Sequence, residues 1–82
     1  MMMTKESPGC DFELDVRGLN CPLPILRTKK ILSTMSSGQL VRVLATDPGA
    51  VIDFAAFAKH TGNVIERQTE ETGVLEFVIR RR

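Results

Sequence analysis

A thiol at the start of a helix is a candidate for covalent chemistry, and Cys21 is placed to be one, within Arg17-Gly18-Leu19-Asn20-Cys21-Pro22-Leu23-Pro24. The residues before it alternate as in a strand, and those after it are spaced as in a helix. A cysteine at that junction faces unpaired backbone N–H groups and the positive end of the helix dipole, which both favour the reactive thiolate. Pro22 and Pro24 qualify this. They stiffen the junction without costing an intrahelical bond, but they also remove two donors that could have pointed at the sulfur. Pro24 biases Leu23 away from helical angles, so the cap is Cys21 or Leu23. The sequence is equally consistent with a small buried residue in a tight turn, since free cysteine is among the most buried types.

The remaining candidates offer less. His60 falls late in the second expected helix and reads as a helix-end residue favoured by the dipole, although a Cys–His pair in space stays open. Two cysteines and one histidine make no four-ligand metal set, and there is no CxxC pair. Asp47-Pro48-Gly49-Ala50 reads as a capped helix start rather than a phosphate loop. Cys10 lies in the N-terminal segment, where a bridge to Cys21 is conceivable but an incidental thiol is the simpler reading. No cofactor and no metal are expected.

The elements that position Cys21 can be read from periodicity. Phe12 to Val16 alternates as a one-sided strand, and a helix runs from about Pro22 to Ser36 before Gly38. Gln39 to Ala45 is a second strand with Val41, Val43 and Ala45 on one face. Asp47 as N-cap with Pro48 behind it starts a second helix that ends at Gly62. Strands over 63–69 and 74–80 follow, joined by Glu70-Glu71-Thr72-Gly73. The expectation is an α/β, two-layer sandwich of order β-α-β-α-β-β: a four-stranded mixed sheet with both helices on one face. Glu13, Asp15, Arg42, Glu76 and Arg80 fall on the other face. Residues 1–11 are expected to be a loose tail and 12–82 a single domain.

On the first helix, about 100° per residue puts Ile25, Thr28, Leu32 and Met35 on the core side. Leu23, Leu26, Arg27 and Lys30 fall opposite, beside the cysteine, as an apolar and basic docking surface. The same leucines could instead tuck under the preceding loop. Net charge is +1, which sets up no strong overall field toward nucleic acid. The N-terminal residues lack the apolar stretch of a signal peptide, and no segment is long and apolar enough to span a bilayer. A cytoplasmic protein with reduced thiols is the expectation.

The stretch Leu14-Asp15-Val16-Arg17-Gly18-Leu19-Asn20-Cys21-Pro22-Leu23-Pro24 resembles the signature of the TusA/SirA family of small sulfur-carrier proteins. That signature is a Cys-Pro-x-Pro motif at the first helix, preceded by Asp-x-x-Gly-x-x. The likeness continues through Asp47-Pro48-Gly49-Ala50 and Asp53 to the Gly62 helix end. The resemblance implies a sandwich similar to the C-terminal domain of a bacterial translation initiation factor. It also implies that Cys21 carries sulfur as a persulfide, with Asp15, Gly18, Pro22 and Pro24 shaping its loop. A cysteine desulfurase or rhodanese-type sulfurtransferase would be the donor, and a downstream acceptor protein the recipient. Destinations known in the family include thiolated uridine in tRNA, molybdenum cofactor enzymes, sulfur oxidation and selenium metabolism.

A lone thiol without a CxxC partner suits a carrier, because no neighbour intercepts the bound sulfur as a disulfide. A protein carrier is therefore expected rather than a stand-alone enzyme. Two other readings remain: a thiol-dependent sulfurtransferase or redox enzyme on small molecules, and a regulatory or nucleic-acid-binding module suggested by Arg80-Arg81-Arg82. No direct nucleic-acid contact and no membrane partner are expected.

Overall fold

In the computed structural model, residues 9–82 are described. Most of the expected N-terminal tail, residues 1–8, lies outside the described residues. The elements run β1 (Phe12–Asp15), α1 (Leu23–Leu32), β2 (Leu40–Ala45), α2 (Ala50–Thr61), β3 (Val64–Glu71) and β4 (Val74–Arg80). The sheet order is β1-β2-β4-β3, with β1 parallel to β2 and β4 antiparallel to both of its neighbours. This is the expected four-stranded mixed sheet.

Alternation builds the core. Phe12 and Leu14 lie beside Val41 and Val43, which lie in turn beside Ile79 and Phe77. All six share one sheet face, and they pack with Leu32 and Met35 from α1 and its following turn and with Ala50 and Phe54 from α2. Both helices therefore cover the same face, as right-handed crossovers require. Phe54 stacks on Phe77 with ring centroids 4.4 Å apart, and it meets Phe57 edge-on at 6.5 Å. Thr28 is fully buried, and its hydroxyl donates to the Pro24 carbonyl at 2.8 Å, so its polarity is satisfied within α1.

Several boundaries differ from the sequence expectation. The first helix stops at Leu32, not near Ser36. The Ser33 hydroxyl donates to the Lys30 carbonyl (2.6 Å) and the Thr34 hydroxyl to the Ile31 carbonyl (2.7 Å). Thr34 and Met35 N–H groups donate three residues back, so the chain tightens into a turn instead of continuing. Met35 still reaches the core from that turn. The second helix is capped by Gly49, not by Asp47. The β3–β4 hairpin closes through a two-residue turn, Thr72-Gly73, with φ of 49° and 81°. Positive φ at both positions is what a tight hairpin between right-twisted strands demands. Asp11, placed before the domain boundary, pairs with Leu40 both ways: its N–H donates to the Leu40 carbonyl and its carboxylate accepts the Leu40 N–H, each at 2.9 Å. Among the described residues no helix is long and apolar enough to cross a membrane.

Candidate functional site

The loop that carries Cys21 is tied to the segment between β2 and α2. Gly18, at φ +84°, adopts a conformation that side chains rarely take, and its N–H donates to Thr46 Oγ1 at 2.9 Å. The Cys21 N–H donates to Asp47 Oδ2 at 3.0 Å, while Asp47 Oδ1 accepts the Gly49 N–H at 3.3 Å. Asp47 thus joins the cysteine to the start of α2 instead of capping that helix through N2 or N3. Asp15 holds Arg17 through the backbone N–H (3.0 Å), Nε (2.9 Å) and a terminal guanidinium nitrogen (2.7 Å). Those bonds lower the Asp15 pKa. Pro22 is the N-cap of α1, following a cis Cys21–Pro22 bond, and Pro24 is buried in the first turn. The cap is therefore neither Cys21 nor Leu23.

The expected thiolate stabilisation is not found. Most donors at the start of α1 are engaged or absent: Leu23 N–H goes to the Asn20 carbonyl (2.8 Å), Leu26 N–H to the Pro22 carbonyl (3.1 Å), and Pro22 and Pro24 have none. What reaches the sulfur is a carboxylate. A hydrogen bond to Asp53 raises the Cys21 pKa most, with partial loss of water and the charges of Asp53 and Asp47 adding to it. Local sequence could not reveal this, because both aspartates come from the other side of the sheet's first crossover. Cys21 is exposed, so the alternative of a buried structural residue is excluded.

Cys21 stands at one end of a cleft of about 470 Å³ between α1 and α2, lined also by Pro22, Ile25, Asp53, Ala56, Phe57 and His60. The α2 residues recur at i, i+3, i+4 and i+7, one stripe of the helix. His60 shares the cleft, a proximity that sequence separation hid and that the helical spacing from Asp53 could have signalled. Seven residues of helix rise roughly 10 Å between Asp53 and His60, and among the described residues no hydrogen bond joins His60 to Cys21. Leu23 and Leu26 are 42% and 52% exposed on α1. Arg27 and Lys30 are exposed beside them. None of these four lines the cleft. Ile52, on the first turn of α2, is 75% exposed and was not singled out from the sequence.

Cys10 belongs to the other side. It is half-buried, and burial pushes its thiol up, with Arg42 and Arg67 opposing and Glu76 and Asp11 adding. The groups acting on it come from the helix-free face and share none with those acting on Cys21. The two thiols flank opposite ends of β1. Among the described residues no cluster of three His, Cys, Asp or Glu side chains could hold a metal.

The family model described as Sulfurtransferase TusA matches residues 12–81. A sulfur carrier protein TusA from Allochromatium vinosum is 61% identical over 71 residues, 87% of this chain and 93% of that protein. One from Pseudomonas putida is 34% identical over 80 residues, 98% of each chain. Among solved structures, a SirA-like protein from Desulfitobacterium hafniense superposes with a TM-score of 0.73 at 29% identity, covering 83% of this chain and 93% of that one.

Proposed function

Because the chain belongs to the TusA family, we propose that it is a sulfur carrier whose cargo rides on Cys21 as a persulfide. The observation that carries this reading is an exposed thiol at a cleft mouth, with Cys10 under a different set of charges. In loading, the Cys21 thiolate attacks the outer sulfur of a donor persulfide. The donor S–S bond breaks, the donor leaves as a thiolate, and the new S–S bond forms on Cys21. The proton from Cys21 ends on the departing thiolate or in solvent, so nothing is oxidised or reduced overall. The second transfer repeats the exchange with an acceptor protein. A cysteine desulfurase or rhodanese-type enzyme fits the donor role, and an acceptor feeding tRNA uridine thiolation or another sulfur-transfer route fits the recipient.

Asp53 and Asp47 give the resting thiol a second property. By holding it protonated they slow adventitious oxidation and alkylation, and they leave full activation to the encounter with a partner. Leu23, Leu26, Arg27 and Lys30 form the partner-docking face on this reading, with Asp15, Gly18, Pro22 and Pro24 holding the loop that presents the sulfur.

The direct test is incubation with a cysteine desulfurase and cysteine, read by intact mass. The expected gain is about 32 Da per transferred sulfur. It is abolished in Cys21→Ala and retained in Cys10→Ala. Loading that survives Cys21→Ala, or that requires Cys10, overturns the assignment.

A further inference from the structure

Two carboxylates from outside the Cys21 loop converge beside the thiol. Asp47 Oδ2 accepts the Cys21 N–H at 3.0 Å, and Asp53 lines the cleft together with Cys21. A Cβ placed on Gly49 would meet Asp47 Oδ1 and Oδ2 at 3.8 Å and Asp53 Oδ2 at 3.9 Å, so both carboxylates face one point at the start of α2. Neither has an ion-pair partner among the described residues. The rest of the cleft wall is Pro22, Ile25, Ala56, Phe57 and His60, with no lysine or arginine.

Keeping the resting thiol protonated does not exhaust what these charges do. The charges acting on Cys21 are those of Asp53 and Asp47, both negative. Cys10 differs, because Arg42 and Arg67 oppose Glu76 and Asp11 at its sulfur. Arg27 and Lys30 are exposed on α1, yet neither lines the cleft. Asp47 is tied to the Gly49 N–H at 3.3 Å, at the positive end of α2, and its charge still reaches the thiol. A reagent that attacks or is attacked by this sulfur brings its own charge close to two carboxylates. Its rate therefore depends on that charge wherever salt does not screen it.

We infer that Asp53 and Asp47 make Cys21 selective by charge: the thiol exchanges with neutral and cationic sulfur compounds and disfavours anionic ones, carboxylate-bearing disulfides and thiols and sulfur oxyanions among them. The use of such a filter rests on the carrier reading, on which a loaded sulfur is kept from small anionic thiols and oxyanions in solution. The exchange itself does not rest on it. The Cys21 thiolate attacks one sulfur of a disulfide and that S–S bond breaks. The other sulfur leaves as a thiolate and takes a proton from solvent, while a mixed disulfide remains on Cys21. Selectivity then comes from the field beside the sulfur and not from how much thiolate is present.

The test uses disulfides alike in length and different in charge, each reacted in excess with Cys10→Ala protein at one pH: cystamine (cationic), hydroxyethyl disulfide (neutral) and dithiodipropionate (anionic). Formation of the mixed disulfide is followed by intact mass, and each rate is divided by that of the same reagent with mercaptoethanol. Within one protein the ratio of two such rates cancels the thiolate fraction, so a moved thiol pKa does not enter it. At low ionic strength the normalised rates should fall in the order given. The cationic-to-anionic ratio should drop about fivefold or more in Asp53→Asn. It should drop likewise in the Asp53 protein near 1 M salt, where the Debye length is about 3 Å, and this arm decides the matter if Asp53→Asn fails to fold. Glu70→Gln removes one negative charge from the β3 edge and should leave the ratio unchanged. Equal normalised rates for the reagents, a ratio unmoved by salt, or equal effects of Asp53→Asn and Glu70→Gln overturn the inference. No reagent here delivers a persulfide sulfur, so that failure would leave sulfur loading on Cys21 standing, and a chain that never loads would still show the charge order.

Discussion

On the helix-free face of the sheet and the loop beside it, Arg17, Arg42, Arg67 and Arg80 each reach a carboxylate, whereas Arg27, Lys29, Lys30 and Lys59 on the helices and Arg82 after β4 reach none among the described residues. Arg42 bridges Glu13 and Glu76, and Glu76 also accepts from Arg67 at 3.3 Å and from the Thr69 hydroxyl at 3.0 Å. The net charge of +1 therefore hides a division. Charge on one side is neutralised internally and serves to hold the strands together. On the helix side it stays available, next to exposed leucines and the exposed Cys21 thiol. With the proposed docking face on α1, the difference separates a face that holds the strands together from one offered to partners.

Mutations on the two faces should then fail in opposite ways. The double reversal Arg27→Glu/Lys30→Glu is expected to weaken the complex with a desulfurase by about tenfold or more, mainly through a slower association rate that becomes less salt-dependent. Its unfolding midpoint should be unchanged. Arg42→Met is the mirror image. It strands Glu13 and Glu76 on a half-buried surface and should cost about 1–2 kcal/mol of stability by urea titration, with partner affinity intact. If the reversal left affinity untouched, the docking face would be misplaced; if Arg42→Met cost nothing, the internal pairing would be ornamental.

A smaller effect sharpens the contrast at the thiol itself. Asp53→Asn removes the carboxylate that raises the Cys21 pKa, so the pKa falls and the thiolate fraction at neutral pH rises. Alkylation by iodoacetamide at neutral pH should quicken severalfold, because the thiolate is the reacting form. Its pH profile should shift to lower pH, while Cys10, under other charges, keeps its rate. An unchanged profile would detach Asp53 from the sulfur.

Strands and their inward residues were legible because alternation over Val41, Val43, Phe77 and Ile79 follows from burial on one face. The Cys21 loop was legible too, since glycine and proline positions are local statements. What sequence could not show was what meets the thiol. The Asp47 contact spans 26 positions, so the local inference of a helix-favoured thiolate missed the carboxylates that reverse it. Likewise Ser33 and Thr34 looked compatible with continuing α1, and only their actual bonds to Lys30 and Ile31 end it. The pairing of sheet-side charges depends on strand order, which no single segment encodes.

The smallest expected effect tests whether that pairing contributes in the native state. Arg42 hydrogen-bonds Glu76 and holds its pKa below the ordinary 4.5, with Thr69 adding to the effect. A carboxyl depressed on folding stabilises fully above its unfolded pKa, and that stability is lost as pH falls through the folded value. Stability of the native chain should therefore drop on acidification from neutral pH to below about 4.5, with under about 1 kcal/mol of the drop due to Glu76 because the face is partly solvated. Glu76→Gln should flatten that part of the curve, whereas Glu70→Gln, on the exposed β3 edge, should not. Urea midpoints across the acid range for the three proteins decide it. Equal curves for native and Glu76→Gln would mean that solvent already screens the pair, and the sheet face would then owe its cohesion to its backbone ladder and core alone.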